Sequence, residues 1–324
     1  MAQAVVQEHA PSTKSEGSVW SRMNLLAMSG IMLVIGTAWR IVDQFVLGLG
    51  DTWTNIMPSK LFPFLIIFGF FFRYRRQEID SVLGLSRHRL KLQLSVGIIM
   101  GILISILIDI GGTVVYGLIL DQTYPLELHI LNEGLLGYSF LFFLTNAFLE
   151  ETLFRGLLQN SFKTRFTPSR AIFLSAVIFG LWHAGWPLVN GGTGREVIMQ
   201  VFMMVFFTTI LGLLFGVYYE RFSSGRSLLG AIAAHTIFNF VSENFKVGPE
   251  PVIQGPDLAF STPGLMTVTL IMFFATFSIL FAIFLRYKIE HASDLWRRFR
   301  ERTGKVFPGL TRTEAATDKK SDKV

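Results

Sequence analysis

The sequence predicts an all-α, polytopic membrane protein with about eight transmembrane helices, and three observations carry that prediction. Hydrophobic residues fill 51% of the 324 positions, and the mean hydropathy is +0.48. Charged residues make up 16%, against roughly a quarter in soluble domains. Apolar runs of about 20 residues, the length that crosses a bilayer as a helix, recur along the chain. A porin-type barrel would instead show alternating segments of about ten residues, and none are present.

Residues 1–20 are polar and read as a disordered cytoplasmic tail. The first span runs from about Met23 to Leu49, with Arg40 and Asp43 three residues apart and expected to form a local ion pair near its end. The second, about Thr54 to Phe72, stops at the basic run Arg73-Tyr74-Arg75-Arg76. The third covers about Leu92 to Leu120 and holds Asp109, which suits either a polar site or pairing between helices. The fourth, about Leu135 to Phe162, contains Glu150, Glu151 and Arg155. Thr167-Pro168 suits a helix start, with Thr167 as cap, for a fifth span ending near Leu188 and carrying His183. After the loop Asn190-Gly191-Gly192-Thr193-Gly194 come a sixth span, about Val197 to Tyr219, and a seventh, about Leu228 to Phe245, with His235 and Asn239. A Pro-rich loop from Gly248 to Pro263 precedes an eighth span, about Leu265 to Leu285. Residues 21–290 thus form one helical domain with its motifs in 134–245, and 291–324 a basic cytoplasmic tail. The tail around Ala292 to Arg302 reads as a basic helix on the membrane surface.

The net charge of +6 gathers in loops beside spans, which points to membrane topology rather than nucleic acid. Loops after spans two, four, six and eight are the basic ones, which places both termini in the cytoplasm. Cysteine is absent, excluding thiol nucleophiles, disulfides and thiolate zinc sites. No serine stands in a nucleophile elbow.

Charges inside spans are costly and mark function by default. Counted from the cytoplasmic ends, Glu150 lies about 12 residues in, roughly 18 Å, and His183 about 13, roughly 20 Å. His235 and Asn239 lie about 8 and 12 residues in, so three segments bring polar groups to one depth. Glu151 and Arg155, four apart with the acid first, are a favourable pair, which leaves Glu150 as the freer carboxylate, with Asn146 one turn before it. Phe179 lies one turn from His183 and can hold its ring by packing. A desolvated carboxylate and an imidazole can together deprotonate water. An imidazole and a carboxamide on one helix face can donate to an oxyanion. Glu150, His183 and His235 would equally make a His2Glu zinc set, although no HExxH run accompanies them. A proton relay in a transporter is a third use of such groups, but paired broken helices in two related halves are missing.

The ordered patterns EExxxR (Glu150, Glu151, Arg155), FxxxH (Phe179, His183) and HxxxN (His235, Asn239) make the chain resemble the CPBP family. This family, also called Abi, comprises type II CAAX prenyl proteases and bacteriocin-processing membrane proteins, and the likeness spans about Gly134 to Phe245. The resemblance implies an eight-helix intramembrane endopeptidase acting near the cytoplasmic side on membrane-associated or lipidated peptides. It implies Glu150 and His183 as the water-activating pair, His235 and Asn239 as the oxyanion hole, and Glu151 with Arg155 as support. It implies no cofactor in the glutamate-type description and zinc in the metal-dependent one. The expected partners are a membrane-bound peptide or protein substrate and the lipid bilayer, in a prokaryotic cell membrane. Some relatives act as non-proteolytic immunity or regulatory partners, which is the alternative reading.

Overall fold

The computed structural model describes residues 23–47, 53–189, 194–249 and 262–306. Residues 1–20, the loop 190–193, most of the Pro-rich loop (250–261) and the tail beyond 306 therefore lie outside the described residues. Eight long helices follow one another within them. They are α1 (Leu25–Ile41), α2 (Trp53–Tyr74), α3 (Leu90–Leu120), α4 (Leu136–Glu151), α5 (Pro168–Trp182), α6 (Gly194–Phe222), α7 (Leu229–Asn244) and α8 (Pro263–Arg286). A ninth, α9, runs Ile289–Val306. Four segments are long and apolar enough to cross a membrane by length and composition: Leu25–Leu47, Leu90–Leu120, Gly194–Phe222 and Pro263–Arg286. Those four belong to a membrane protein; α4 and α7 spend part of their length on polar side chains instead.

Local chemistry explains several helix ends. Asn24 caps α1 by accepting from the Leu26 N–H, and Thr262 caps α8 by accepting from Leu265 N–H. Thr167 does occupy the cap position of α5 and Pro168 its first turn, but the Thr167 side chain makes no capping bond. α5 is shorter than the span expected to reach Leu188. It ends at Trp182, and after the Ala184-Gly185 turn a one-turn helix, Trp186–Val189, follows. His183 therefore stands at a helix end rather than inside a helix. α4 passes into a π-helical turn, Thr152–Leu158, and continues as Gln159–Lys163. An antiparallel ribbon pairs Leu128–Ile130 with Phe245–Val247, a strand pair absent from the all-α expectation.

Two apolar clusters build the core. One gathers Met100, Ile104, Phe215, Tyr218, Phe273 and Phe277 from α3, α6 and α8 around α7. The other gathers Met28, Phe71, Leu153, Phe154 and Phe179 from α1, α2, α5 and the α4 segment. α4 lies on the seam: Ala147 packs in the first cluster, Leu149 and Leu153 in the second. α3 meets α7 through small residues. A Cβ on Gly101 would stand 2.6 Å from the Ala234 carbonyl oxygen, so glycine permits this backbone approach. Asp109 belongs to this contact and not to the Glu150 cluster, because Ser242 on α7 donates its hydroxyl to the Asp109 carboxylate.

Candidate active site

Five of the polar residues singled out from the three motifs, Glu150, Glu151, Arg155, His183 and His235, meet on the α4 seam. Glu150 and Glu151 are 1% and 0% exposed, and Arg155 is 1%. Arg155 donates through Nη1 to Glu151 Oε1 at 3.1 Å, the expected i,i+4 pair. Its guanidinium also lies over the Phe179 ring, 3.9 Å from the centroid, so a planar apolar surface takes the place of water. The adjacent Gly212 on α6 leaves room for this side chain, since a Cβ there would come within 3.2 Å of Arg155 Nη2.

His183 and His235 are each anchored on one ring nitrogen. His183 Nδ1 lies 2.8 Å from the Phe179 carbonyl oxygen, which can only accept, so Nδ1 carries the hydrogen. The Phe179 ring meets His183 edge-on at 4.6 Å, in line with the packing role expected of it. His235 Nδ1 lies 2.8 Å from Glu151 Oε1, and donation to this carboxylate fixes the second ring. Both remaining nitrogens then face one atom. His183 Nε2 and His235 Nε2 are each 3.7 Å from Glu150 Oε2. That separation is too long for a hydrogen bond, and none of the described residues hydrogen-bonds Glu150 Oε2. Glu151 thus does more than neutralise Arg155. It joins the guanidinium to the imidazole of His235 and sets that ring's tautomer.

The other oxygen of Glu150 has a partner that the motifs do not contain. Lys60 on α2, 5% exposed, donates from Nζ to Glu150 Oε1 at 3.2 Å. Pro58 and Pro63 bracket it within the helix. Arg40 and Asp43, expected as a pair near the end of the first span, do interact electrostatically; both are buried and lie within reach of Lys60, and Arg40 reaches Glu150 as well. Arg40 also lies over the Trp182 ring at 5.4 Å. Asp43, Glu150 and Glu151 thus face Arg40, Lys60 and Arg155, three carboxylates with three cations. A buried cluster of this kind is tolerable because its charges cancel. Lys60 escaped the sequence reading because a lone lysine with a long aliphatic stem in a span can as easily reach the interface.

Asn239 lies one turn after His235 on α7 and is half-buried. None of the hydrogen bonds of the cluster reaches it. Asn146 is 6% exposed, and its Oδ1 is unpartnered among the described residues.

Two imidazole Nε2 atoms and a carboxylate oxygen are zinc-type donors, each imidazole backed on Nδ1 as metal ligands usually are. The surroundings do not suit a divalent cation, however. Lys60 already places an ammonium on Glu150, with Arg40 nearby, so a divalent cation there would add positive charge to a carboxylate that is already balanced.

No curated protein matches the chain. A family model does, the type II CAAX prenyl endopeptidase Rce1-like family, over residues 132–241. The matched stretch holds Glu150, Glu151, Arg155, Phe179, His183, His235 and Asn239, while Arg40, Asp43 and Lys60 enter the cluster from helices outside it. This match over residues 132–241 is consistent with the family likeness that the three motifs carry.

Proposed function

We propose that this protein is an intramembrane endopeptidase that hydrolyses peptide bonds of membrane-associated or lipidated peptides near the cytoplasmic face. The observation that carries the reading is the convergence of His183 Nε2 and His235 Nε2 on Glu150 Oε2, with every other atom of the three groups already engaged. A water oxygen can sit beside the His183–Glu150 line, within about 3 Å of both. Glu150 and His183 then share its proton as it attacks the scissile carbonyl. Lys60 holds Glu150 in the carboxylate rotamer that presents Oε2.

His235 stabilises the oxyanion that forms. Its Nδ1 proton is committed to Glu151, so donation from Nε2 requires the imidazolium, whose charge Glu151 balances as an acid does in a hydrolytic triad. Asn239, on the same helix face, supplies the second donor when substrate is bound. In the metal-free reaction proposed here, Lys60 and Arg40 provide the local positive charge. The eight helices serve as eight spans with both termini cytoplasmic, and the cell membrane is of the prokaryotic type.

Incubating the purified protein with membranes and mapping new protein termini tests the reading. Termini that appear with wild type and vanish with Glu150→Gln support it. Identical termini in both would leave the chain as a non-proteolytic partner.

A further inference from the structure

The helix that follows the last apolar span carries a surface that the catalytic reading does not use. Only Tyr287 and Lys288 separate α8 from α9, so α9 begins where the apolar segment ends. Its first turn is docked: Ile289 is fully buried in the apolar cluster of α3, α6, α7 and α8, Ala292 packs against the same cluster, and Glu290 lies 3.8 Å from His88. Ile289, Ala292, Leu295, Trp296 and Phe299 follow the spacing of one helix face. The stripe starts in the core and then runs out of protein. Leu295, Trp296 and Phe299 are 63%, 58% and 60% exposed.

Arginine borders that stripe. Arg297, Arg298 and Arg302 are exposed, and the helix as a whole has five basic residues against three acidic ones. α9 also contacts α3, which carries Lys91 in its first turn and follows the loop containing Arg87 and Arg89. One apolar face, a tryptophan, flanking arginines and a start at the edge of a span together describe a helix lying in the headgroup layer. Arg297 pairs with Asp294 at 3.2 Å within the helix, and the excess of basic over acidic side chains gains nothing from an apolar partner helix, which would fit the stripe alone. Anionic lipid satisfies both.

We infer that α9 is an interfacial helix that binds anionic lipid, sinking Leu295, Trp296 and Phe299 toward the acyl chains while Arg297, Arg298 and Arg302 engage headgroup phosphates. The absence of cysteine makes the test direct, because a single introduced cysteine is the sole labelling site. Nitroxide labels are placed on Leu295→Cys, Phe299→Cys, Asp294→Cys and Glu301→Cys in the full chain. Each is reconstituted in phosphatidylcholine vesicles with or without phosphatidylglycerol, and collision with oxygen and with a water-soluble nickel chelate is measured. With phosphatidylglycerol, the oxygen-to-nickel ratio at 295 and 299 should exceed that at 294 and 301 several-fold. Replacing Arg297, Arg298 and Arg302 together by glutamine should remove the dependence on phosphatidylglycerol, with circular dichroism confirming that the protein stays helical. Equal aqueous exposure at all four positions would overturn the inference. So would shielding of 295 and 299 from both reagents with spin–spin broadening, which would assign the stripe to a second copy.

Discussion

At the scale of single residues, Lys60 and Glu150 are each other's counter-charge in a place without bulk water. Lys60→Met should cost about 3–5 kcal/mol of stability by removing the cation hydrogen-bonded to the buried Glu150 carboxylate and leaving Arg40 to act on it at longer range. Glu150→Gln added to Lys60→Met should recover part of that loss, and thermal melts of the four proteins in detergent measure the coupling. No recovery in the double variant would mean that Lys60 is held by something other than Glu150. Glu151→Gln should damage stability and rate together, since both Arg155 and His235 depend on its Oε1. Asn239→Ala should lower kcat by about 100 to 1000-fold with the fold intact, the scale of losing an oxyanion donor. The motif residues were legible because charge and imidazole stand out in apolar runs. The Glu151–His235 bond was not, because it joins residues 84 apart, whereas helical spacing exposes only the local Glu151–Arg155 pair.

At the scale of elements, the site depends on how closely α3 approaches α7. Gly101→Val would drive a branched side chain into the Ala234 carbonyl, one residue before His235. It should cost about 1–3 kcal/mol by overpacking and lower cleavage further by displacing the imidazole. Melting temperature and rate, measured on the same preparation, check both effects. Through apolar runs and polar breaks, hydropathy marked the positions of eight helices, four of them in segments long and apolar enough to cross a membrane. It could not foresee the π-helical turn after Glu151, because a wider turn depends on which carbonyls tertiary packing leaves available. Nor did it end α5 at Trp182, where the following Ala184 and Gly185 lie in a turn and His183 is left free to point at Glu150.

At the scale of the molecule, helices outside the matched segment complete the polar cluster. The segment Leu25–Leu47, α1 with its π-helical continuation, and α2 bring Arg40, Asp43 and Lys60 to a centre whose motifs lie on or next to α4, α5 and α7. The apolar lengths indicated a membrane domain, but not that two helices before the motifs would close its charge balance, which only the three-dimensional packing reveals. Reporters fused after Arg76, Arg165 and Arg221 should read cytoplasm, and those near Glu127, Gly192 and Gln254 the opposite side; one reversal would break the common depth of the site. The central claim is tested most directly by purified protein and a farnesylated peptide ending in a CAAX sequence, with products identified by mass spectrometry after prolonged chelation. The expected result is a single cut by wild type that survives chelation and is lost in Glu150→Gln. Activity silenced by the chelator and restored by zinc, or an undiminished cut by Glu150→Gln, would contradict it.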